Sequence, residues 1–278
     1  MTAPSGALAL VATPIGNLGD LSPRAIAALR DADEIWCEDT RRTKTLLTHA
    51  GIVGARVRSV HEHNEAGAAD ELIALVRDGR TIAYVSDAGT PGISDPGARL
   101  VAACAAADLV VTIVPGPSAV IAAIAISGLP ANRFTFEGFL ERKGPRRREA
   151  LERIARSDVT SVVYESPARL GATIAELALV CGADRPAAVV RELTKVHETV
   201  VRGTLAALVG VDVRGECVIV VGPALPAATA SDAELDTALR SEFAAGSSAR
   251  DAAAATAAML GVPRRRAYER ALALRNRT

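Results

Sequence analysis

Short apolar runs recur along the first 114 residues, each followed by a longer amphipathic stretch, and this rhythm restricts the fold more than any other feature. Leu8 to Ala12, Glu34 to Cys37, Val57 to Val60, Thr81 to Val85 and Leu109 to Val114 have the length and β-branched content of strands. Helical periodicity lies between them. In Ser22 to Arg30, Ser22 is placed to cap and Pro23 sits in the first turn; Asn64 to Arg77 stops at Gly79. Strands alternating with helices at this spacing predict an α/β domain with a mainly parallel sheet.

The rhythm changes after Pro115-Gly116-Pro117. Strand-like runs follow at Phe134 to Glu137, Val159 to Tyr164, Ala187 to Arg191, Glu198 to Arg202 and Cys217 to Val221. The gap from Arg191 to Thr199 is too short for a crossover helix, so an antiparallel pair and a mixed second sheet are expected. This places domains at 1–117 and 118–223, with a hinge near Pro115 to Ser118. Residues 222 to 231, rich in Pro and Ala without periodicity, read as a linker. The remainder, within 224–278, is helical and basic. Ser248 to Leu260 and Arg264 to Leu274, broken at Gly261-Val262-Pro263, suggest a helix-turn-helix-like region or a small packing appendage.

Hydrophobic residues make up 49% of the 278 but aromatics only 3%, so the cores must be packed from Ala, Val, Leu and Ile. Lys plus Arg equals Asp plus Glu at 32 each, which confines any nucleic-acid contact to local patches. The four cysteines, Cys37, Cys104, Cys181 and Cys217, lie far apart without zinc or redox spacing, as in a reducing cytoplasm. No apolar run is long enough to span a bilayer, and Met1 to Ala7 has no signal-peptide pattern. A cytoplasmic protein with no membrane contact is expected.

Three turns are rich in Gly and Pro, and each follows a strand. Thr13 to Pro23 lacks both a G-x-G-x-x-G spacing and a phosphate-loop lysine, which sets NAD and ATP aside. Ser86 to Gly97 reads S-D-A-G-T-P-G-I-S-D-P-G and enters a helix near Asp95; Val114 to Ala119 reads V-P-G-P-S-A. Such turns at the carboxyl ends of parallel strands expose backbone groups and line a cleft for a small molecule. Taken singly, each is equally an ordinary loop with a capping residue.

These turns, together with Y-E-S-P at 164–167, R-E-L-T-K at 191–195, H-E at 197–198 and G-E-C at 215–217, resemble the tetrapyrrole-methylase superfamily. The long S-D-A-G-T-P form and E-D-T-R at 38–41 are similar to its ribosomal RNA small-subunit methyltransferase I group. The resemblance runs in order from Leu8 to Pro223. It implies a two-domain fold that binds S-adenosylmethionine between its domains, a homodimer, and 2'-O-methylation of a cytidine in the decoding region of small-subunit rRNA. Tetrapyrrole-making relatives usually carry a shorter G-G-D-P-type turn where this chain has A-G-T-P. A tetrapyrrole or protein acceptor, or an RNA-binding assembly factor without turnover, are the alternatives.

By the same resemblance Gly89, Thr90, Pro91, Ile93, Ser118 and Ala119 line the cofactor, with Tyr164, Leu193 and Gly222 from the second domain. A ribose hydroxyl is a poor nucleophile, and a base within hydrogen-bond reach assists it. The candidates are Asp87, Glu165 and Glu198, although the first two equally serve as turn caps and Glu198 equally pairs with Lys195. For phosphate contacts the clusters are Arg41, Arg42 and Lys44; Arg142 to Arg148, with Arg146, Arg147 and Arg148 at its centre; and Arg264, Arg265 and Arg266. Any one of them also reads as a solvated helix face. His61 and His63 flank Glu62 but lack a third metal ligand, so no metal is expected.

Overall fold

The computed structural model describes residues 6–61, 64–211, 215–224 and 230–275. The chain divides into two compact units, 1–224 and 225–278.

The first unit opens with β1 (Ala7–Val11), α1 (Pro23–Asp31), β2 (Glu34–Cys37), α2 (Thr40–His49), β3 (Val57–Ser59), α3 (Glu65–Arg77), β4 (Thr81–Val85), α4 (Ala98–Ala106) and β5 (Val110–Val114). The strands pair in the order β3-β2-β4-β1-β5, every pair parallel. Both faces are covered: Leu29, Ile35, Leu46 and Val85 lie in one apolar layer, and Trp36, Leu72, Ile82 and Leu100 in the other. Burial on both faces is why these strands read as continuous apolar runs rather than alternating ones. The Ser22 hydroxyl caps α1 by accepting from the Ala25 N–H at 3.1 Å, and Pro23 opens the helix as expected.

The chain continues through α5 (Ala119–Ser127), β6 (Phe134–Phe139), α6 (Pro145–Arg156), β7 (Thr160–Glu165), α7 (Pro167–Cys181), β8 (Pro186–Arg191), β9 (Thr199–Thr204), α8 (Leu205–Leu208) and β10 (Cys217–Val221). The second sheet has the order β6-β7-β10-β8-β9, with β6 and β7 parallel and the remaining pairs antiparallel. It is the mixed sheet anticipated from the short connection after Arg191. Helix α5 leaves the first sheet yet packs Val120, Ala123 and Ile124 against Val190, Val218 and Val220 of the second. Its sequence, AVIAAIAIS, is apolar all round, and the face with Val120, Ala123 and Ile124 is the buried one while Ile121 is about half exposed. Each fully buried Val or Ile there contributes about 1.5–3 kcal/mol of transfer free energy.

Arg185 ties the far end of the second sheet together. Buried at 3% exposure, it donates to the carbonyls of Gly222 (2.7 Å), Ile154 (3.1 Å) and Ser157 (3.3 Å).

The second unit is three helices, α9 (Asp232–Ala244), α10 (Ala249–Leu260) and α11 (Arg264–Arg275), around Leu235, Leu239, Ala253 and Ala267. Ser231 and Glu234 form a capping box on α9, Ser248 caps α10, and Gly261 ends α10 in the left-handed region at φ 63°. The last two helices match the sequence reading. Residues 225–229 of the expected linker lie outside the described residues.

Candidate functional site

In the first sheet β4, β1 and β5 are neighbours, so the three Gly- and Pro-rich turns leave adjacent strand ends. They are bonded into one layer. Thr13 and Gly89 exchange backbone hydrogen bonds (2.8 and 3.1 Å), and the Thr90 hydroxyl donates to the Pro117 carbonyl at 3.2 Å. The first turn also reaches the second sheet, where the Asn17 N–H donates to Thr194 Oγ1 at 3.0 Å. Gly16 permits that crossing, because a Cβ there would lie 2.6 Å from Lys195 Cγ and 2.8 Å from the Leu193 carbonyl oxygen.

Between the turns and the second sheet lies a cavity of about 330 Å³. Ala88, Gly89, Thr90, Ile93, Ser94, Asp95, Ser118 and Ala119 form one wall, with Ile15; Phe139, Tyr164, Glu165, Ser166, Pro167, Val190, Leu193, Glu216, Cys217 and Val218 form the other. The lining is mostly apolar with a few polar groups, the pattern of a small-molecule site. Tyr164 packs edge-on against Phe136, ring centroids 4.9 Å apart, and lies 5.4 Å from Phe139, which is well exposed at 59%. Burial pushes the Tyr164 phenol up to about 12, so it remains neutral.

Seven of the nine residues expected around the cofactor, Gly89, Thr90, Ile93, Ser118, Ala119, Tyr164 and Leu193, line this cavity. Pro91 is buried within the turn and does not line it. Gly222 lies elsewhere. Strand β10 meets the cavity at Cys217 and Val218, and Gly222 follows its opposite end, roughly 15 Å further on at the usual rise per residue, with its N–H on the Pro186 carbonyl.

The three expected carboxylates are already engaged. Asp87 accepts from the Asp39 N–H at 3.1 Å and pairs with Arg42 at 3.4 Å, locking the turn after β4 to E-D-T-R after β2. It faces a shallower groove with Thr13, Leu18, Arg42 and Leu46 rather than the cavity. Glu165 does line the cavity, but Oε1 accepts from the Ser166 N–H (2.8 Å), Oε2 accepts from the Thr173 hydroxyl (2.7 Å), and Arg169 lies at 3.3 Å. Glu198 is exposed and accepts from the Thr194 N–H at 2.7 Å, bracing a loop in which Glu192 and Thr194 have φ of 48° and 66°. Its anticipated pairing partner, Lys195, bonds Glu192 and Glu216 instead (2.9 and 3.0 Å).

In sequence Asp95 marks only the entry to a helix, whereas in the fold it lines the cavity. Burial, then the nearby Glu38 charge, raises its carboxyl to about 6; a hydrogen bond with Ser86 opposes this and Asp87 adds to it. The repeated Ser-Asp step at 86–87 and 94–95 was the signal available in the sequence.

The basic clusters divide. Arg41, Arg42 and Lys44 are exposed at the start of α2, with Arg41 on Asp39, whose side chain caps that helix. Arg146 and Arg148 are exposed, but Arg147 turns inward to Glu176 (2.8 Å), Thr173 (3.0 Å) and the Glu141 carbonyl (3.0 Å). In the C-terminal unit Arg264 and Arg265 are exposed, whereas Arg266 donates to Asp232 and the Ala230 carbonyl. Glu62 and His63 lie outside the described residues. Among the described residues no His, Cys, Asp and Glu cluster is arranged to hold a metal, and all four cysteines are free.

A parallel sheet with a ligand cavity at its carboxyl edge, closed by a mixed sheet, defines a two-lobed α/β small-molecule-binding class. Residues 7–209 match the family Tetrapyrrole (Corrin/Porphyrin) Methylases, and residues 229–275 match the RsmI C-terminal HTH domain. A ribosomal RNA small subunit methyltransferase I from Synechocystis is 45% identical over 97% of this chain and 98% of its own. One from Mycobacterium tuberculosis H37Rv is 46% identical over 99% and 97%. Among solved structures, the methyltransferase CobJ aligns at TM-score 0.62 and 22% identity, covering 79% of this chain and 95% of its own. Uroporphyrin-III C-methyltransferase from Thermus thermophilus, complexed with S-adenyl homocysteine, aligns at TM-score 0.55 and 21% identity over 78% and 97%. The chain belongs to the tetrapyrrole methylase family, in its ribosomal RNA small subunit methyltransferase I group.

Proposed function

We propose that this chain transfers the methyl group of S-adenosylmethionine to the ribose 2'-oxygen of a cytidine in the decoding region of small-subunit rRNA. The observation that carries the reading is that relatives named ribosomal RNA small subunit methyltransferase I align over nearly the whole chain, C-terminal helices included. The cavity suits the cofactor. Ile15, Ile93, Val190 and Leu193 supply apolar wall for a purine, the A-G-T-P and P-S-A backbones supply donors and acceptors, and the acidic lining suits a cation. Bound there, S-adenosylmethionine supplies an electrophilic methyl on a sulfonium that leaves without acid assistance. The chain's own contribution is to hold that carbon and the incoming oxygen close and in line.

Arg42 lines the groove beside the cavity, with Arg41 and Lys44 exposed on the same helix, and together with Arg146, Arg148, Arg264 and Arg265 they are the proposed phosphate contacts. The enzyme works in the cytoplasm on the ribosomal subunit or its RNA, and it acts as a homodimer. Val110 and Ile113 on the edge strand β5, with Ile121 of α5, are about half exposed and support an apolar contact between copies. Among the described residues no helix is long and apolar enough to cross a membrane.

Tritiated S-adenosylmethionine with small subunits from a strain lacking the modification tests the reading. Label in the ribose of one cytidine is expected, and absence of ribose label overturns it.

A further inference from the structure

We infer that Asp95 is the group that takes the proton from the ribose 2'-hydroxyl as the methyl is transferred, an inference that rests on the function proposed above. Among the described residues, three carboxylates line the cavity: Asp95, Glu165 and Glu216. Two have other work. Glu165 is bonded through both oxygens to Ser166 and Thr173 and has Arg169 beside it. Glu216 projects largely into solvent, 73% exposed, and pairs with Lys195. Among the described residues Asp95 has no ion-pair partner, and the nearby Ser86 hydroxyl is the one polar neighbour that favours its charged form.

Its placement is also controlled. Ser94, immediately before it, is held at φ 61°, a left-handed conformation that costs a non-glycine residue about 1 kcal/mol or more and so needs support from its surroundings. The next helix is anchored by Glu65 through the N–H groups of Gly97, Arg99 and Leu100. A short side chain fixed at both flanks suits a proton acceptor, which must be within hydrogen-bond reach of its target.

The groups facing Asp95 set when it is basic. Glu38 after β2 and Asp87 after β4 are negative neighbours, Tyr84 of β4 and Tyr164 of β7 are neutral phenols raised by burial, and Glu165 and Glu216 border the same cavity. Arg42 and His61 act on Glu38, and Arg42 pairs with Asp87. Burial among these acids raises the Asp95 carboxyl to about 6, so it is a stronger base than an ordinary aspartate and remains ionised at neutral pH. The balance is complete. The 2'-oxygen bonds to the methyl carbon as the carbon–sulfur bond breaks, the electron pair of that bond stays on sulfur, and the hydroxyl proton passes to an Asp95 oxygen and then to water.

The test compares full-length wild type, Asp95→Asn and Asp95→Glu on undermethylated small subunits between pH 5 and 9, with calorimetric titration of S-adenosylmethionine into each. Asp95→Asn is expected to keep cofactor affinity within about threefold while kcat falls roughly 10²- to 10³-fold. The wild-type acid limb near pH 6 should disappear in Asp95→Asn, and Asp95→Glu should recover part of the rate. Carboxyl NMR titration of the free enzyme should find an aspartate ionising near 6 that is missing from Asp95→Asn. Three results overturn the inference: Asp95→Asn within threefold of wild-type kcat, an acid limb that persists in it, or cofactor affinity lost in proportion to rate. Wild type that fails to label ribose overturns the rRNA reading itself, a result distinct from an unaffected variant.

Discussion

The Glu65 carboxylate, on the first residue of α3, accepts the backbone N–H of Gly97 at 2.9 Å and so caps a helix that is not its own. The same oxygen takes the N–H groups of Arg99 (2.9 Å) and Leu100 (3.3 Å), orphan donors at the start of α4 that Gly97 has no side chain to satisfy. Glu65→Ala strands these donors in a buried site and should cost about 3 kcal/mol by urea denaturation, with Glu65→Gln intermediate. Because α4 closes the turn that carries Asp95, cofactor affinity measured by calorimetry should fall in the same order.

Gly97 is a position where glycine is required. Its φ is 122°, and a Cβ would stand 2.8 Å from the buried Tyr84 ring. Gly97→Ala should lose about 1–3 kcal/mol of stability and weaken S-adenosylmethionine binding. An unchanged melting temperature and dissociation constant would refute this assignment. By contrast, Gly67 in α3 and Gly171 in α7 have nothing within 4 Å of a built Cβ. Alanine at each should add roughly 0.5–1 kcal/mol by reducing the entropy of the unfolded chain.

The arginine run on α6 should separate by function. Arg146→Ala and Arg148→Ala should leave stability within about 0.5 kcal/mol and each lower the salt dependence of RNA binding by roughly one ion. Arg147→Ala, which uncouples Glu176, Thr173 and the Glu141 carbonyl, should destabilise by about 2–4 kcal/mol. Filter binding across a salt series and denaturant melts measure the two effects independently.

Asp95 carries a pH signature in stability as well. Its carboxyl is raised in the folded state, so native protein binds its proton before the unfolded chain does as pH falls. Stability contributed by this group is therefore lowest above pH 6 and rises as pH drops from about 6 toward the ordinary aspartate range near 4. Asp95→Asn removes the ionisation and should be more stable than wild type by about 1–2 kcal/mol at pH 8, allowing for partial solvent screening. The difference should vanish near pH 4. Paired denaturation curves at the two pH values decide it.

Much of the first sheet was legible because strands buried on both faces are written as continuous apolar runs: Thr81–Val85 and Glu34–Cys37 occur as read. The antiparallel pairing of β8 with β9 followed from the chain length available between them. Side-chain commitments were less legible. Arg146, Arg147 and Arg148 are indistinguishable in sequence, yet helical periodicity turns the middle one inward. Gly222 looked like a cavity residue until the direction of β10 put it at the opposite end.

The sequence alone determined that strands and helices alternate, that three Gly- and Pro-rich turns leave strand ends, and that cores are built from small aliphatic side chains. These properties depend on local periodicity and backbone preference. Tertiary structure decided that β4, β1 and β5 are neighbours, which merges the three turns into one cavity wall. It also decided which carboxylates reach that cavity, because Asp87 and Glu198 are held outside it, Glu165 is bonded to Ser166 and Thr173 within it, and Asp95 lines it near other acids. Hydrogen-bond partners and burial depend on the whole fold, and so does the assignment of the proton acceptor.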